Sequence, residues 1–230
     1  MTKTFYEPKI KAILFDLDNT LVDFMKMKRE ACRSAIHAMV DSGLKISKDE
    51  GYKKLILTYF KVGIESDRAF TEFLKRETGE VNPKVLAAGI NAYLVTKSKF
   101  LKLYPNVIPT LAKLKERGLI LAIVTDAPKV KAYQRLLSMK IESFFDFVIG
   151  FEDTEKKKKT DVPLKMAIEK LKLEPKEIMM IGDSMKRDVI PAKKLDVVSV
   201  FAKYGSSEKI GIIRPDFVIN NFSDILKIVL

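Results

Sequence analysis

Hydrophobic positions along the chain follow two rhythms. From about Val22 to Leu103 they recur every three or four residues, the spacing of one helix face. Met25, Cys32, Ile36, Met39 and Val40 form a first such stripe, ending near Gly43. Leu55, Ile56, Tyr59 and Phe60 form a second, closed by Gly63, and Phe70, Phe73 and Leu74 a third, closed by Gly79. A fourth starts at Pro83, a residue suited to a first helical turn, and runs through Leu86, Ile90, Tyr93 and Leu94 to Phe100. No strand interrupts these helices. The second rhythm is a set of short unbroken apolar runs, the mark of strands buried on both faces. They are Ile13-Leu14-Phe15, Leu119–Val124, Phe145–Ile149, Ile178–Ile181, Val197–Phe201 and a short Asp216–Ile219.

Between these runs lie helical stretches: Val107 to about Arg117, one carrying Val130, Tyr133, Leu136 and Leu137, Pro163–Leu173, Lys186–Leu195, and a C-terminal helix ending at Leu230. Strands alternating with helices predict an α/β fold, a Rossmann-like parallel sheet with helices on both faces. The first two strands stand about 100 residues apart, where a βαβ unit needs about 30. The surplus reads as an all-α module inserted after strand one. The expected organisation is a core from residues 1–21 and 104–230, with 22–103 as a helical cap.

Ligands of an open parallel sheet bind beyond the carboxyl ends of its strands, so the polar residues there carry the chemistry. Asp16 and Asp18 follow the first strand. In extended chain, residues two apart point to one side about 6–7 Å apart, and two such carboxylates repel unless a cation lies near. Thr125 and Asp126 follow the second strand, a basic loop containing Lys156–Lys159 the third, and Gly182-Asp183-Ser184 the fourth, with Asp188 five residues beyond Asp183. Converging carboxylates without histidine or cysteine select a hard cation, Mg²⁺ foremost. A hydroxyl with backbone amides and a lysine forms a receptor for phosphoryl oxygens. The expected chemistry is phosphoryl transfer, with an aspartate as candidate acceptor.

Asp16-x-Asp18-x-Thr20, Thr125, the basic loop and Gly182-Asp183-x-x-x-x-Asp188 together resemble the four motifs of the haloacid dehalogenase (HAD) superfamily of hydrolases. The helical insert is similar to that family's cap of the C1 type, and Tyr104-Pro105-Asn106-Val107 to the return hinge from it. The resemblance implies that Asp16 is a nucleophile forming an aspartyl-phosphate. It makes Asp18 the group that protonates the leaving oxygen and then activates water, with its backbone carbonyl on Mg²⁺. Asp183 would complete the metal ligands, and Asp188 would ligate or stand behind them. Thr125 would bind the phosphoryl group, with Thr20, Asp126 and Lys159 as further phosphate-binding candidates. The cap would close over the site and exclude water. Dehalogenases of the superfamily lack an acid at the second aspartate, so Asp18 points to a phosphatase, with a sugar phosphomutase as the alternative.

The third motif departs from the usual lysine closely followed by proline. Aligning the following helix without a gap selects Lys158, the favoured choice, whereas taking Asp161 as the helix N-cap selects Lys159. Asp126 reads mainly as a cap for the helix near Pro128, with its backbone amide toward the phosphoryl group.

Composition narrows the setting. Hydrophobic residues are 47% and charged residues 31% of the 230, a globular profile. No stretch reaches the roughly 20 apolar residues of a membrane span, and Met1–Glu7 lacks the apolar core of a signal peptide. The single cysteine, Cys32, permits no intrachain disulfide and fits a reducing cytoplasm. The formal charge of +12 is spread over many segments rather than forming a stripe, which argues against a dedicated nucleic-acid role and for a generally basic surface; a small phosphorylated metabolite is the partner that the resemblance implies. A non-catalytic phosphate- or nucleic-acid-binding protein is the alternative from a different class, and the chain is expected to be a monomer or homodimer.

Overall fold

The computed structural model describes residues 9–229; Met1–Glu7 and the expected end of the last helix at Leu230 lie outside it. Six parallel strands form one sheet: β1 (Ala12–Phe15), β2 (Ile120–Val124), β3 (Phe147–Ile149), β4 (Ile178–Gly182), β5 (Val198–Ala202) and β6 (Phe217–Ile219). Their order is β3-β2-β1-β4-β5-β6. Strand β1 is buried throughout and flanked by β2 and β4 in register, with Phe15 opposite both Ile123 and Ile181. The strand order reverses at β1, between β2 on one side and β4 on the other, so the ends of these strands form the switch point where such sheets bind ligands.

Cα packing separates the chain into two compact units, one of them Phe24–Lys102 and the other formed by the described residues on either side. The unit Phe24–Lys102 contains α1 (Phe24–Asp41), α2 (Lys48–Val62), α3 (Ala69–Thr78) and α4 (Pro83–Phe100). Ser47 caps α2 by accepting from the Glu50 N–H, and Asn82 caps α4 just before Pro83. Cys32, Ile36, Met39, Leu55, Tyr59, Phe70, Phe73 and Leu74 belong to its core. The apolar stripes do not all turn inward: Phe60 and Leu94 are exposed.

The sheet unit adds α5 (Val107–Glu116), α6 (Lys129–Ser138), α7 (Phe151–Thr154), α8 (Val162–Leu171) and α9 (Ile190–Lys194). Three expectations are corrected. The C-terminal helix is a 3₁₀ turn, Phe222–Lys227, and the expected strand from Phe145 begins at Phe147, after another 3₁₀ turn at Glu142–Phe144. The helix from Lys186 opens with a π-turn, Met185–Val189, before α9. On α6 the buried side chains are Ala132, Arg135 and Leu136, while Val130 and Leu137 face solvent.

Candidate active site

Beyond β1 the chain turns sharply. Asn19 adopts φ 62°, its N–H bonds to the Val22 carbonyl, and Leu21 N–H returns to Leu17. Thr20 is thereby brought back so that its hydroxyl approaches Asp16 Oδ2 at 3.4 Å. Asp16 itself is buried, and its amide completes the sheet by bonding to the Ile181 carbonyl.

Strand β4 supplies the opposing wall. Asp183 follows it directly, and the π-turn brings Asp188 back so that its Oδ2 accepts from the Ser184 N–H at 3.0 Å. This return needs a glycine at 182, where a Cβ would collide with the Asp188 carboxyl. One carboxylate oxygen from each of Asp16, Asp183 and Asp188 lies within 4.8 Å of the other two, and all three residues are buried.

The third wall is the basic loop. Lys158 is fully buried, and its ammonium donates to Asp16 Oδ1 at 2.5 Å and pairs with Asp188 Oδ1 at 2.6 Å. Lys159 is exposed. Asp161 occupies the N-cap position of α8 in a left-handed conformation and makes no side-chain cap. Asp126 does not cap α6. Its Oδ1 accepts the Lys158 backbone N–H at 2.7 Å and its Oδ2 lies 3.9 Å from Arg187, while the first amide of α6 is taken by Glu152. Asp126 therefore fixes the backbone that carries Lys158. Thr125 is buried at the end of β2, and its hydroxyl accepts from the Ala127 N–H at 3.2 Å.

Asp18 stands apart from the three-carboxylate cluster. Its Oδ1 pairs instead with Nε of Arg135 at 3.1 Å, in an ion pair off the axis of a hydrogen bond.

The electrostatics follow from this crowding. Burial pushes the Asp183 carboxyl up to about 8, with the charges of Asp16 and Asp188 adding to it. Burial likewise raises Asp188 to about 6, against the pull of Lys158. Burial alone would lower the Lys158 ammonium, but Asp16 and Asp188 outweigh it and hold it above the usual lysine range. Two cations border the cluster: Lys158 pairs with Asp16 and Asp188, and the Arg187 guanidinium lies 3.2 Å from Asp183. A hard cation with oxygen ligands fits the all-carboxylate donor set of Asp16, Asp183 and Asp188. The side chain of Asp18 is not in that set.

Sequence reasoning missed Arg135, Arg187 and Glu208. Arg135 could have been found as a cation in the inward stripe beside Ala132 and Leu136. Arg187 is one turn beyond Asp183. Glu208 accepts from the Ser184 hydroxyl and the Met185 N–H, and no motif marks it.

The sequence pattern of the haloacid dehalogenase-like hydrolases matches residues 13–202. A glyceraldehyde 3-phosphate phosphatase of Methanopyrus kandleri is 34% identical over 226 residues, covering 96% of this chain and 97% of the relative. One of the same name from Pyrococcus furiosus is 31% identical over 223 residues, covering 96% and 93%. Among solved structures, a HAD phosphatase from Thermococcus onnurineus superposes with a TM-score of 0.72 at 26% identity, covering 96% of this chain and 98% of its own.

Proposed function

We propose, because the chain belongs to the haloacid dehalogenase-like hydrolases, that it is a Mg²⁺-dependent phosphatase. It releases inorganic phosphate from a small phosphate monoester through an aspartyl-phosphate on Asp16. The observation that carries this reading is the buried Asp16 carboxylate, held at one oxygen by Lys158 and gathered with Asp183 and Asp188 so that one oxygen of each lies within 4.8 Å of the other two.

Each residue then has a task. Lys158 orients the Asp16 carboxylate and offers positive charge to an arriving phosphoryl group. Thr125 and the amides after β2 bind phosphoryl oxygens, with Thr20 beside the nucleophile. An Asp16 oxygen attacks phosphorus while Asp18 gives a proton to the departing ester oxygen; Asp18 later takes a proton from the water that cleaves the aspartyl-phosphate. The carboxylates of Asp16, Asp183 and Asp188 would hold the cation, with the backbone carbonyl of Asp18 as the resemblance implies. When bound, the Mg²⁺ neutralises charge on the phosphoryl oxygens and lets an anionic nucleophile approach. Residues Phe24–Lys102 serve as the cap and the sheet unit as the catalytic core. The relatives' names support a substrate of the size of glyceraldehyde 3-phosphate. No described helix is long and apolar enough to cross a membrane. The buried lone thiol of Cys32 supports a cytoplasmic setting.

The test is phosphate release from a panel of phosphorylated metabolites, with Mg²⁺ and with EDTA, for the parent and Asp16→Asn. Activity confined to the parent with Mg²⁺ is expected. Near-parent hydrolysis by a folded Asp16→Asn would refute the mechanism.

A further inference from the structure

We infer that Arg135 is a positioning residue that aims the Asp18 carboxylate for proton transfer; the inference rests on the reading of Asp18 as proton donor given above. Arg135 is 3% exposed, on the face of α6 that also buries Ala132 and Leu136. A guanidinium in an apolar stripe is costly unless paired, and truncating the helix position to an aliphatic residue would remove that cost. Its pairing with Asp18 at 3.1 Å gives the charge a reason to be there.

The geometry separates two jobs that neighbouring aspartates would otherwise confuse. Asp16 is held by Lys158, which also pairs with Asp188. Asp18 has a cation of its own, delivered from the helix that follows the Thr125–Asp126 loop. The backbone around Asp18 is fixed by the Asn19 turn, but a backbone alone leaves χ1 of an aspartate several staggered choices. The ion pair selects among them. Arg135 thus links the loop that binds the phosphoryl group to the residue that serves the leaving oxygen.

In the first half-reaction an Asp16 oxygen bonds to phosphorus. The bond from phosphorus to the ester oxygen breaks with its electron pair on that oxygen, which takes the proton of Asp18. An alkyl alcohol requires that proton, because an alkoxide is a strongly basic leaving group. A p-nitrophenolate leaves without it. The quantity to read is therefore kcat/KM, which reports this half-reaction, for glycerol phosphate against p-nitrophenyl phosphate.

Asp18→Asn, Arg135→Gln and the double variant are compared with the parent in Mg²⁺, with thermal unfolding followed by circular dichroism. Arg135→Gln should lower kcat/KM for glycerol phosphate by on the order of 10–100-fold and that for p-nitrophenyl phosphate by less than about threefold. In the Asp18→Asn background it should change neither. Equal losses on both substrates, faster hydrolysis of glycerol phosphate, or effects that simply add in the double variant would each overturn the role of Arg135. If Asp18→Asn itself lacks the alkyl-selective loss, the proton-donor reading falls and takes this inference with it, whatever Arg135→Gln does. Should Arg135→Gln not fold, Arg135→Lys takes its place in the same cycle and is judged by the same non-additivity.

Discussion

Freed of divalent cations, the protein should become less stable as the pH rises from about 5 to about 8, the reverse of what salt-bridged carboxylates produce. The cause is the carboxylate cluster. Asp183 is raised from 3.8 to about 8 and Asp188 from 3.8 to about 6, both by burial first, with the charges of Asp16 and Asp188 adding at Asp183 and the pull of Lys158 opposing at Asp188. Unfolded, each returns to about 3.9. Between the unfolded and folded values the native state holds protons that the unfolded chain has released, so the free energy of unfolding falls as pH rises. Each pH unit over which one proton differs is worth about 1.4 kcal/mol, so one proton across three units gives about 4 kcal/mol. Against a typical total of about 5–15 kcal/mol this is a large slope. At Asp146 and Asp216 burial is the largest single influence and acts upward, but the lysine partners Lys115 and Lys193 together with the hydrogen bonds from Leu121 and Ser199 outweigh it, so these carboxyls act in the opposite sense, below 3.8 and outside the window. The chain has no tryptophan, so urea unfolding is followed by far-UV circular dichroism, with EDTA throughout. Mg²⁺ in excess should flatten the slope by displacing the protons and binding only the folded state, and Asp183→Asn should flatten it without any ion. A metal-free parent whose stability is flat or rises from pH 5 to 8, or an Asp183→Asn variant with the parent's slope, would refute the account of the cluster.

Three further outcomes follow from single contacts. Lys158→Met leaves Asp16 and Asp188 without their shared ammonium; phosphate release should fall by at least about a hundredfold, and the metal-free variant should lose about 3–5 kcal/mol at pH 8 in urea unfolding. Gly205→Ala drives a Cβ into the Asn19 carbonyl oxygen, so it should cost about 1–3 kcal/mol of stability and depress kcat, measured on the same substrates. Cys32 is buried and its thiol pushed up to about 11, chiefly by burial, so at pH 8 it should react with a disulfide reagent only as fast as the protein opens, and at once in denaturant.

The sheet was legible because strands buried on both faces leave unbroken apolar runs, as Ala12–Phe15 and Ile120–Val124 do. What was not legible depends on neighbours rather than on local pattern. In the C-terminal segment Phe222 and Ile225 are buried from a 3₁₀ turn, and their spacing of three residues fits that turn as well as it fits an α-helix. On α6 the apolar residues Val130 and Leu137 are the exposed ones, while Arg135 turns inward because a carboxylate awaits it. Within the site, position after a strand end picked out Asp16, Thr125, Asp183 and Asp188. The role of Asp126 was misread for a physical reason. An aspartate just ahead of a proline is a common cap, and only the folded chain reveals that a lysine 32 residues further on presents its amide to the same carboxylate.

Glu208 belongs to a wider group of supporting residues, clustered in one segment, that no motif marks. The family pattern ends at residue 202, and the segment just beyond it grips two of the loops that carry the candidate site. Tyr204 donates its hydroxyl to the Thr20 carbonyl at 2.6 Å and stacks edge-on against Tyr104, whose N–H bonds to the Leu21 carbonyl. Gly205 lies against the Asn19 carbonyl, closer than any side chain permits. Glu208 then spans the start of the π-turn at Ser184 and Met185, and Lys203 secures it by donating to the Glu208 carbonyl. The turn after β1 and the turn after β4, which bring Asp16, Asp183 and Asp188 together, are thus tied to one strap following β5. Carboxylates that repel one another need such external restraint, because the loops carrying them would otherwise relax apart. The strap is silent in sequence because a phenol, a missing side chain and a carboxylate held by a lysine do its work by bonding backbone and a serine hydroxyl, in no spacing that a motif records.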